Sequence, residues 1–202
     1  MNKRKVIFLD RDGTLCEEGA PPRGFSELRL FPGAMDAIWR MQQSGFEVAV
    51  VTNQGAVARG VIDIRDVIQT HADMMQHFRR HGVPLLAIRF CPHHPDGILT
   101  PFRGSCFCRK PAPGMLQHLA HQFHIDLTRS WMIGDNLSDV QAGLAAGCRV
   151  ALIKTGHGNR FIQSVPESTT IVDNLAAVAT LISEDLQKTS SHSVNHHGHR
   201  EG

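Results

Sequence analysis

Residues 6–14 read Val6-Ile7-Phe8-Leu9-Asp10-Arg11-Asp12-Gly13-Thr14, an apolar run that ends abruptly in two aspartates. Four apolar residues in a row, two of them β-branched, are typical of a short strand that is buried on both faces. Two carboxylates this close together repel each other unless a cation compensates their charge. Oxygen ligands at the end of a strand suit Mg²⁺. An Asx turn that merely caps the strand is the alternative interpretation of this stretch taken alone.

The composition is that of an ordinary globular protein of 202 residues, long enough for one well-buried domain. The formal net charge of +2 offers no electrostatic basis for binding nucleic acid or an anionic membrane. No stretch approaches the ~20 apolar residues of a membrane span. The basic residues 1–5 precede an apolar run too short for a signal peptide. We therefore expect a cytoplasmic protein that binds neither nucleic acid nor membrane.

Apolar segments of strand and helix type alternate along most of the chain. We predict strands over 6–9, 46–51, 85–90, 131–133, 150–153 and 170–172, and helices over 34–44, 63–81, 113–124, 137–146 and 174–186. This alternation predicts an α/β fold with a central parallel sheet covered by helices on both faces. Ligands of such sheets bind at the carboxyl ends of the strands. The polar groups at Asp10/Asp12, Thr52/Asn53 and Asp135 are therefore expected to form one site.

Two segments depart from this alternation. Residues 16–30 are rich in glycine, proline and charge and are typical of a loop, which in a compact domain often carries function. Residues 188–202 are rich in serine and histidine and have no apolar periodicity. We predict that they form a disordered tail, to which we assign no function, behind a single domain of residues 1–187.

Cysteine and histidine cluster in residues 91–108, where two short pairs flank a loop. Three cysteines and one histidine are a common ligand set of structural zinc: Cys91, His93, Cys106 and Cys108. Four protein ligands leave no position for a catalytic water, so this zinc would pin the loop rather than take part in a reaction. His94 is a rival to His93. Coincidental clustering and a redox pair are the other interpretations, although C-x-C is not the usual C-x-x-C redox motif.

Two cations, Arg109 and Lys110, follow the last of these cysteines directly. A loop fixed by zinc would aim them at the predicted site. The alternative is that they are solvated surface charges.

Together these residues resemble the haloacid dehalogenase superfamily of phosphotransferases. Its D-x-D-G-T motif corresponds to residues 10–14, its second motif to Thr52, its third to Lys110, and its fourth to Gly134-Asp135 with Asp139. The resemblance implies a Rossmannoid three-layer sandwich. It also implies that there is no large cap domain, so that loops would select the substrate, and that the zinc-stabilised loop is an insertion.

The Cys₃His loop followed by Arg109-Lys110-Pro111 resembles one subgroup more closely, that of heptose bisphosphate phosphatases and bacterial histidinol-phosphate phosphatases. Residues 52–54, 58–60 and 91–95 strengthen this match. The resemblance implies removal of the 7-phosphate from a heptose 1,7-bisphosphate, with histidinol phosphate or another small sugar phosphate as alternatives. The implied partner is a small phosphorylated metabolite, and a small uncapped domain is expected to be monomeric.

The mechanism of the family assigns roles to these residues. Asp10 would attack phosphorus to form an aspartyl-phosphate, and Asp12 would act first as general acid and then as general base. Thr52 and Lys110 would hold the phosphate oxygens, and Mg²⁺ would be held by Asp10, the carbonyl of Asp12 and Asp135. The further substrate-binding residues that the resemblance implies are Asn53, Gln54, Arg59, Arg109 and Asn136.

Two features differ from the pattern of heptose bisphosphate phosphatases. Asn136 stands where many of them carry lysine, and residues 17–23 lack their aromatic residue, with Arg23 as a candidate anion contact instead. These differences leave open the substrate and its anomer. A non-catalytic scaffold that binds a protein partner is the alternative from another functional class. It is disfavoured because a binding module has no need of like charges gathered at one point.

Overall fold

The computed structural model describes residues 3–194, with side chains described as far as residue 184. In this part of the chain six parallel strands form one sheet in the order β3-β2-β1-β4-β5-β6. The strands are β1 (Val6–Leu9), β2 (Glu47–Asn53), β3 (Ala87–Cys91), β4 (Trp131–Gly134), β5 (Arg149–Ile153) and β6 (Thr170–Val172). The helices are α1 (Ala34–Gln43), α2 (Ile64–Arg80), α3 (Gly114–Phe123), α4 (Leu137–Ala145) and α5 (Leu175–Val194). The predicted α/β class and parallel sheet are confirmed.

Strand β1 lies at the centre of the sheet, and its four side chains are completely buried. Ile7 and Leu9 face a core formed with α1, α5 and part of α2, while Val6 and Phe8 face a second core formed with α3 and α4. This division follows from the two-residue period of a strand, which sends successive side chains to opposite faces. The result is the three-layer sandwich that the sequence predicts.

The neighbours of β1 bring the polar strand ends together. Leu9 pairs with Val50 of β2 on one side and with Ile133 of β4 on the other. The carboxyl ends of these three strands therefore lie side by side. The connection from β1 to α1, residues 10–33, contains one short 3₁₀ helix, Phe25–Glu27, and no separate cap domain.

Strand β2 and helix α5 are longer than the sequence predicts. Thr52 and Asn53 do not follow β2 but are its last residues, because the parallel ladder with β3 continues to the pair of Asn53 and Cys91. Helix α5 includes residues 188–194, which we expected to lie in the tail. Neither glycine nor proline interrupts the sequence from Leu175 to Val194, so nothing local stops the helix. The rest of the predicted tail, residues 195–202, lies outside the described residues.

None of the helices in residues 3–194 is both long enough and apolar enough to cross a membrane.

Candidate active site

Three carboxylates, which we call the acidic cluster, meet at the carboxyl edge of the sheet: Asp10, Asp135 and Asp139. Their oxygen atoms lie within 4.8 Å of one another. Burial is the largest cause that raises the pKa of Asp10 to about 7 and that of Asp135 to about 6. Asp139 is completely buried in the first turn of α4. Two buried acids and one partly buried acid this close create a strongly anionic position that can hold a divalent cation.

Lys110 supplies the one ammonium group that contacts the acidic cluster in the described part of the chain. Its Nζ lies 2.8 Å from Asp10 Oδ1 and 2.6 Å from Asp139 Oδ1, and it donates a hydrogen bond of 2.7 Å to the carbonyl of Val51. Burial alone would lower the pKa of Lys110, but attraction to the two carboxylates raises it above its ordinary value. Lys110 therefore stays charged and offsets part of the negative charge.

Asn53 and Asn136 hold the backbone on either side of the acidic cluster. The Asn53 side chain donates to the carbonyl of Lys110 at 3.0 Å and accepts from its backbone N–H at 3.1 Å. Asn136 caps α4 by accepting from the N–H of Ser138, while Asp139 accepts from the N–H of Asn136. Both asparagines, which the resemblance implies to be substrate contacts, thus fix the positions of charged neighbours. Asp139 belongs to the fourth motif, but we predicted no role for it from the sequence.

The loop after β5 encloses Asp135. The backbone N–H of His157 donates to Asp135 Oδ2 at 2.7 Å, and Thr155 Oγ1 donates to the carbonyl of Gly13 at 2.7 Å. Gly13 and Gly156 both have positive φ angles, and a Cβ on either would collide with the Asp135 carboxylate. Residues 155–157 are separated from the motif residues in sequence, and no pattern singles them out. We missed them for this reason.

The carboxylate of Asp12 is held by two side chains, Arg11 and Gln54. Its Oδ1 accepts from Arg11 Nε at 2.9 Å, and its Oδ2 accepts from Arg11 Nη2 at 2.8 Å and from Gln54 Nε2 at 2.9 Å. Gln54 Nε2 also donates to Thr52 Oγ1 at 2.9 Å. Gln54 is 5% exposed, so its amide is committed to this network. The Asp12 side chain remains 36% exposed and accessible from the opening above it.

Two adjoining openings lead to these residues. One, of about 430 Å³, contains Asp10, Thr52, Lys110, Asp135 and Asn136. The other, of about 600 Å³, is formed mainly by residues 17–29 and 53–59. Asp12, Glu18 and Asn53 line both openings, which therefore form one continuous site.

The larger opening is lined by three arginines, Arg11, Arg29 and Arg59, and not by Arg23, the anion contact considered from the sequence. At its rim, the Oε1 atom of Glu18 lies 3.0 Å from His157 Nε2.

Three nitrogen-bearing side chains converge on Gly55. A Cβ at this glycine would lie 2.8 Å from His94, 3.2 Å from Arg59 Nη1 and 3.4 Å from Arg109 Nη1. Burial lowers the pKa of His94, and the two guanidinium groups lower it further. The two arginines therefore give this end of the site a positive charge, which suits an anionic group.

The four predicted zinc ligands, which we call the Cys/His cluster, lie together. The three Sγ atoms are 3.2–3.4 Å apart. His93 Nδ1 lies 3.6 Å from Cys91 Sγ and 3.5 Å from Cys108 Sγ, whereas His94 Nδ1 accepts from the N–H of Asp96. Four mutually adjacent donor atoms of this kind match a tetrahedral ion, whose sulfur ligands would lie roughly 3.8 Å apart. The geometry selects His93 over His94.

The Cys/His cluster is coupled to the site through Arg109, which donates to the carbonyl of His93 at 3.1 Å. The predicted link between the loop and the two following cations is thus present. Lys110 enters the acidic cluster, and Arg109 lines the smaller opening.

Known proteins resemble this chain in sequence over most of its length. A family model described as HAD-hydrolase-like matches residues 107–178. The D-glycero-beta-D-manno-heptose-1,7-bisphosphate 7-phosphatase of Pseudomonas aeruginosa is 36% identical over 181 residues, which cover 89% of this chain and 98% of the relative. The D-glycero-alpha-D-manno-heptose-1,7-bisphosphate 7-phosphatase of Photorhabdus laumondii is 34% identical over 183 residues, which cover 90% of this chain and 98% of the relative.

Solved structures of known proteins are also similar to this chain over most of its length. The D,D-heptose 1,7-bisphosphate phosphatase of B. bronchiseptica, complexed with magnesium and phosphate, has a TM-score of 0.79 and 35% identity, and the match covers 90% of this chain and 99% of that one. A HAD-like phosphatase of Mesorhizobium loti has a TM-score of 0.77 and 28% identity over 90% of this chain and 87% of its own. This chain belongs to the family of HAD-like phosphatases that includes the heptose-1,7-bisphosphate 7-phosphatases.

Proposed function

We propose that this protein removes the 7-phosphate of D-glycero-β-D-manno-heptose 1,7-bisphosphate by Mg²⁺-dependent hydrolysis through an aspartyl-phosphate. The observation that carries the proposal is the placement of Asp10 beside Lys110 and two more carboxylates at the floor of an open site. The relatives from Pseudomonas aeruginosa, Pseudomonas putida and Yersinia pestis are named for the beta anomer, which favours it over the alpha anomer.

The acidic cluster fits a magnesium ion. Burial and mutual repulsion raise the pKa values of Asp10 and Asp135, and a divalent cation would relieve both effects. We assign Asp10, Asp135 and the backbone carbonyl of Asp12 as its ligands, in keeping with the magnesium in the Bordetella structure. When bound, Mg²⁺ would neutralise charge on the phosphate oxygens and let an anionic nucleophile approach them.

The protein's own residues divide the reaction into two steps. A carboxylate oxygen of Asp10 forms a bond to phosphorus as the bond from phosphorus to the sugar oxygen breaks, and Asp12 gives its proton to that oxygen. Asp12 then takes a proton from the water that cleaves the aspartyl-phosphate. Lys110 donates to the phosphate oxygens, and so does the hydroxyl of Thr52, whose oxygen already accepts from Gln54. Donors fixed in this way need no reorganisation as charge develops.

The positive end of the site would hold the second phosphate of the substrate. Arg59 and Arg109 meet around Gly55, and Arg109 is fastened to the backbone of His93. We propose a structural zinc ion in the Cys/His cluster that keeps Arg109 in place. Asn53, Gln54 and Asn136 would then act mainly by positioning Lys110, Asp12 and Asp139.

We further propose that residues 1–187 form one domain that works as a monomer in the cytoplasm. The thiols of the Cys/His cluster support this location, because thiolate ligands persist in reducing compartments. A net charge of +2 supports a small metabolite rather than nucleic acid or membrane as the partner.

Phosphate release with Mg²⁺ tests this function, with both heptose bisphosphate anomers and histidinol phosphate compared side by side. We expect kcat/KM for the beta anomer to exceed that for the other two substrates by at least about tenfold, since each good polar contact is worth about that factor. Asp10→Asn should abolish turnover, whereas Asp36→Asn on the exposed face of α1 should not change it. Preference for histidinol phosphate would refute the substrate, and turnover by Asp10→Asn would refute the mechanism.

A further inference from the structure

A buried arginine and a buried histidine lie behind Asp12, and the mechanism above uses neither. Arg11 is 1% exposed, although its position between two catalytic aspartates is at the floor of the site. Nε and Nη2 form a bidentate contact with Asp12, Nη2 also donates to Gln54 Oε1 at 3.0 Å, and Nη1 lies 2.9 Å from His71 Nε2. A buried guanidinium is tolerated only when its N–H groups find acceptors. Asp12, Gln54 and His71 supply them.

The protonation of His71 follows from its surroundings. Burial lowers its pKa to about 3, and the charge of Arg11 acts in the same direction. The imidazole is therefore neutral. Because a guanidinium can only donate, Nε2 of His71 accepts from Arg11 and Nδ1 carries the proton.

The surroundings of the other ring nitrogen indicate that the contact with Arg11 is the reason for a histidine at position 71. Nδ1 of His71 has no hydrogen-bond partner among the residues whose side chains are described, and the ring packs edge-on against Phe90 with centroids 5.3 Å apart. An unpaired buried donor costs about 1–3 kcal/mol, which an apolar side chain at this position of α2 would avoid. The polar contact that His71 makes is the one to Arg11.

We propose that His71 and Arg11 are positioning residues for Asp12: the imidazole fixes the guanidinium plane, and the guanidinium fixes the carboxylate. The inference deepens the proposed function and rests on the role of Asp12 as acid and base. Gln54 ties Oδ2 of Asp12 to Thr52, so that Oδ2 accepts two hydrogen bonds while Oδ1 accepts one. Oδ1 therefore has the lone pair that carries the proton to and from the reacting oxygens.

Two esters with different leaving groups separate positioning of Asp12 from a general structural effect. The sugar oxygen of the bisphosphate needs a proton from Asp12, whereas 4-nitrophenolate leaves without one. Because kcat/KM covers the steps up to departure of the leaving group, it depends on the acid role of Asp12 for the first ester alone. The ratio of the two kcat/KM values therefore reports the placement of Asp12.

The test variants are His71→Leu, which removes the acceptor, and His71→Gln, whose amide oxygen can replace it. We expect His71→Leu to lower kcat/KM for the bisphosphate by about 10- to 100-fold, since a misplacement of ~1 Å can cost ~100-fold. The value for 4-nitrophenyl phosphate should change by less than about threefold, and His71→Gln should restore most of the loss. Met74→Leu, a buried exchange one turn further along α2, is the matched control and should leave both values unchanged.

Arg11→Lys keeps the positive charge but loses the bidentate contact with Asp12, and it provides the same test if His71→Leu does not fold. Like His71→Leu, it should lower kcat/KM for the bisphosphate more than kcat/KM for 4-nitrophenyl phosphate. Equal losses on both esters, or no rescue by His71→Gln, would overturn the inference while leaving the proposed function intact. A wild-type protein that hydrolyses neither ester with Mg²⁺ would overturn both.

Discussion

The acidic cluster and the Cys/His cluster are both suited to metal ions, but they are built in opposite ways. The carboxylates come from the ends of β1 and β4 and from α4, with more than a hundred residues between Asp10 and the other two, and Lys110 already compensates part of their charge. The Cys/His cluster comes from residues 91–108 alone, and its four donor atoms mainly face one another. We therefore expect that the fold assembles the first without an ion, whereas the second would depend on an ion for its order.

This difference suits the two tasks. An open site must keep its geometry while substrate and product exchange, so its side chains are fastened by protein partners such as Asn53 and His157. A closed site needs no access, and it can let one ion replace the packing that a loop lacks. Arg109 and Lys110, adjacent in sequence, connect the two clusters.

Removing Lys110 is the largest perturbation of this arrangement. Lys110→Ala leaves Asp10 and Asp139 buried without their counter-charge, so we expect a loss of about 3–5 kcal/mol in the free energy of unfolding at pH 7, together with loss of turnover. Urea unfolding followed by circular dichroism measures it. Lys154→Ala removes an exposed ion pair with Asp173 and should cost less than about 1 kcal/mol. Similar losses in both variants would show that the acidic cluster does not depend on Lys110.

Removing the proposed zinc ion should have a local effect. Stripping the ion with a chelator, or Cys106→Ser, is expected to increase hydrogen exchange in residues 92–108 while the sheet stays protected, because the four ligands join the two ends of this loop. With Arg109 released from His93, KM for the bisphosphate should rise about tenfold, and the kinetics with 4-nitrophenyl phosphate, which has no second phosphate, should change little.

Cys148→Ala is the matched control for loss of a thiol, since Cys148 is buried outside the Cys/His cluster. It should leave exchange in residues 92–108 and both sets of kinetics unchanged. If chelation instead unfolded the whole sheet, the contrast between the two clusters would be wrong.

The two clusters also differ in how far the sequence predicts them. The four ligands of the Cys/His cluster are visible as two short pairs, and the structure adds only the choice of His93 over His94. The meeting of Asp10 with Asp135 could be predicted because each follows a buried strand of a parallel sheet. The first inference uses residues that are close in sequence. The second uses the rule that parallel strands of one sheet end at the same edge.

What the sequence does not predict are contacts between distant residues of unrelated elements. Arg11 and His71 are sixty positions apart, and nothing in the period of α2 distinguishes a histidine that contacts Arg11 from one in the core. The resemblance implies that Asn53 is a substrate contact, yet its side chain is bound to the backbone of Lys110. Such pairings depend on tertiary packing, which determines where a side chain can find a partner.

A fall in pH should lower the free energy of unfolding through His71 and raise it through Asp135, a member of the acidic cluster. The pKa of His71 is lowered to about 3 in the folded protein and is ordinary when unfolded, so the unfolded state binds the extra proton between pH 6.5 and 3. This contribution to stability is therefore complete above pH 6.5 and declines as the pH falls, by up to about 1.4 kcal/mol per pH unit. The pKa of Asp135 is raised to about 6, so its contribution is lost as the pH rises.

Comparing wild type with His71→Gln by urea unfolding at pH 7, 6 and 5 isolates the histidine, because the carboxylates are common to both proteins. The difference in free energy of unfolding should shift in favour of His71→Gln at each lower pH. Parallel pH profiles would mean that His71 is not held neutral by Arg11.

The smallest expected effect concerns Asn136, which stands at the edge of the acidic cluster. Its side chain caps α4 by accepting from the N–H of Ser138. Asn136→Ala should therefore cost about 1 kcal/mol in the free energy of unfolding, and Asn136→Ser, which can also cap, should recover most of it. If Asn136 acts only as a cap, kcat/KM for the bisphosphate should stay within about twofold in both variants. A larger drop in Asn136→Ser than its stability explains would show that the amide contacts the substrate, and the helix start would then belong to the binding site as well as to its scaffold.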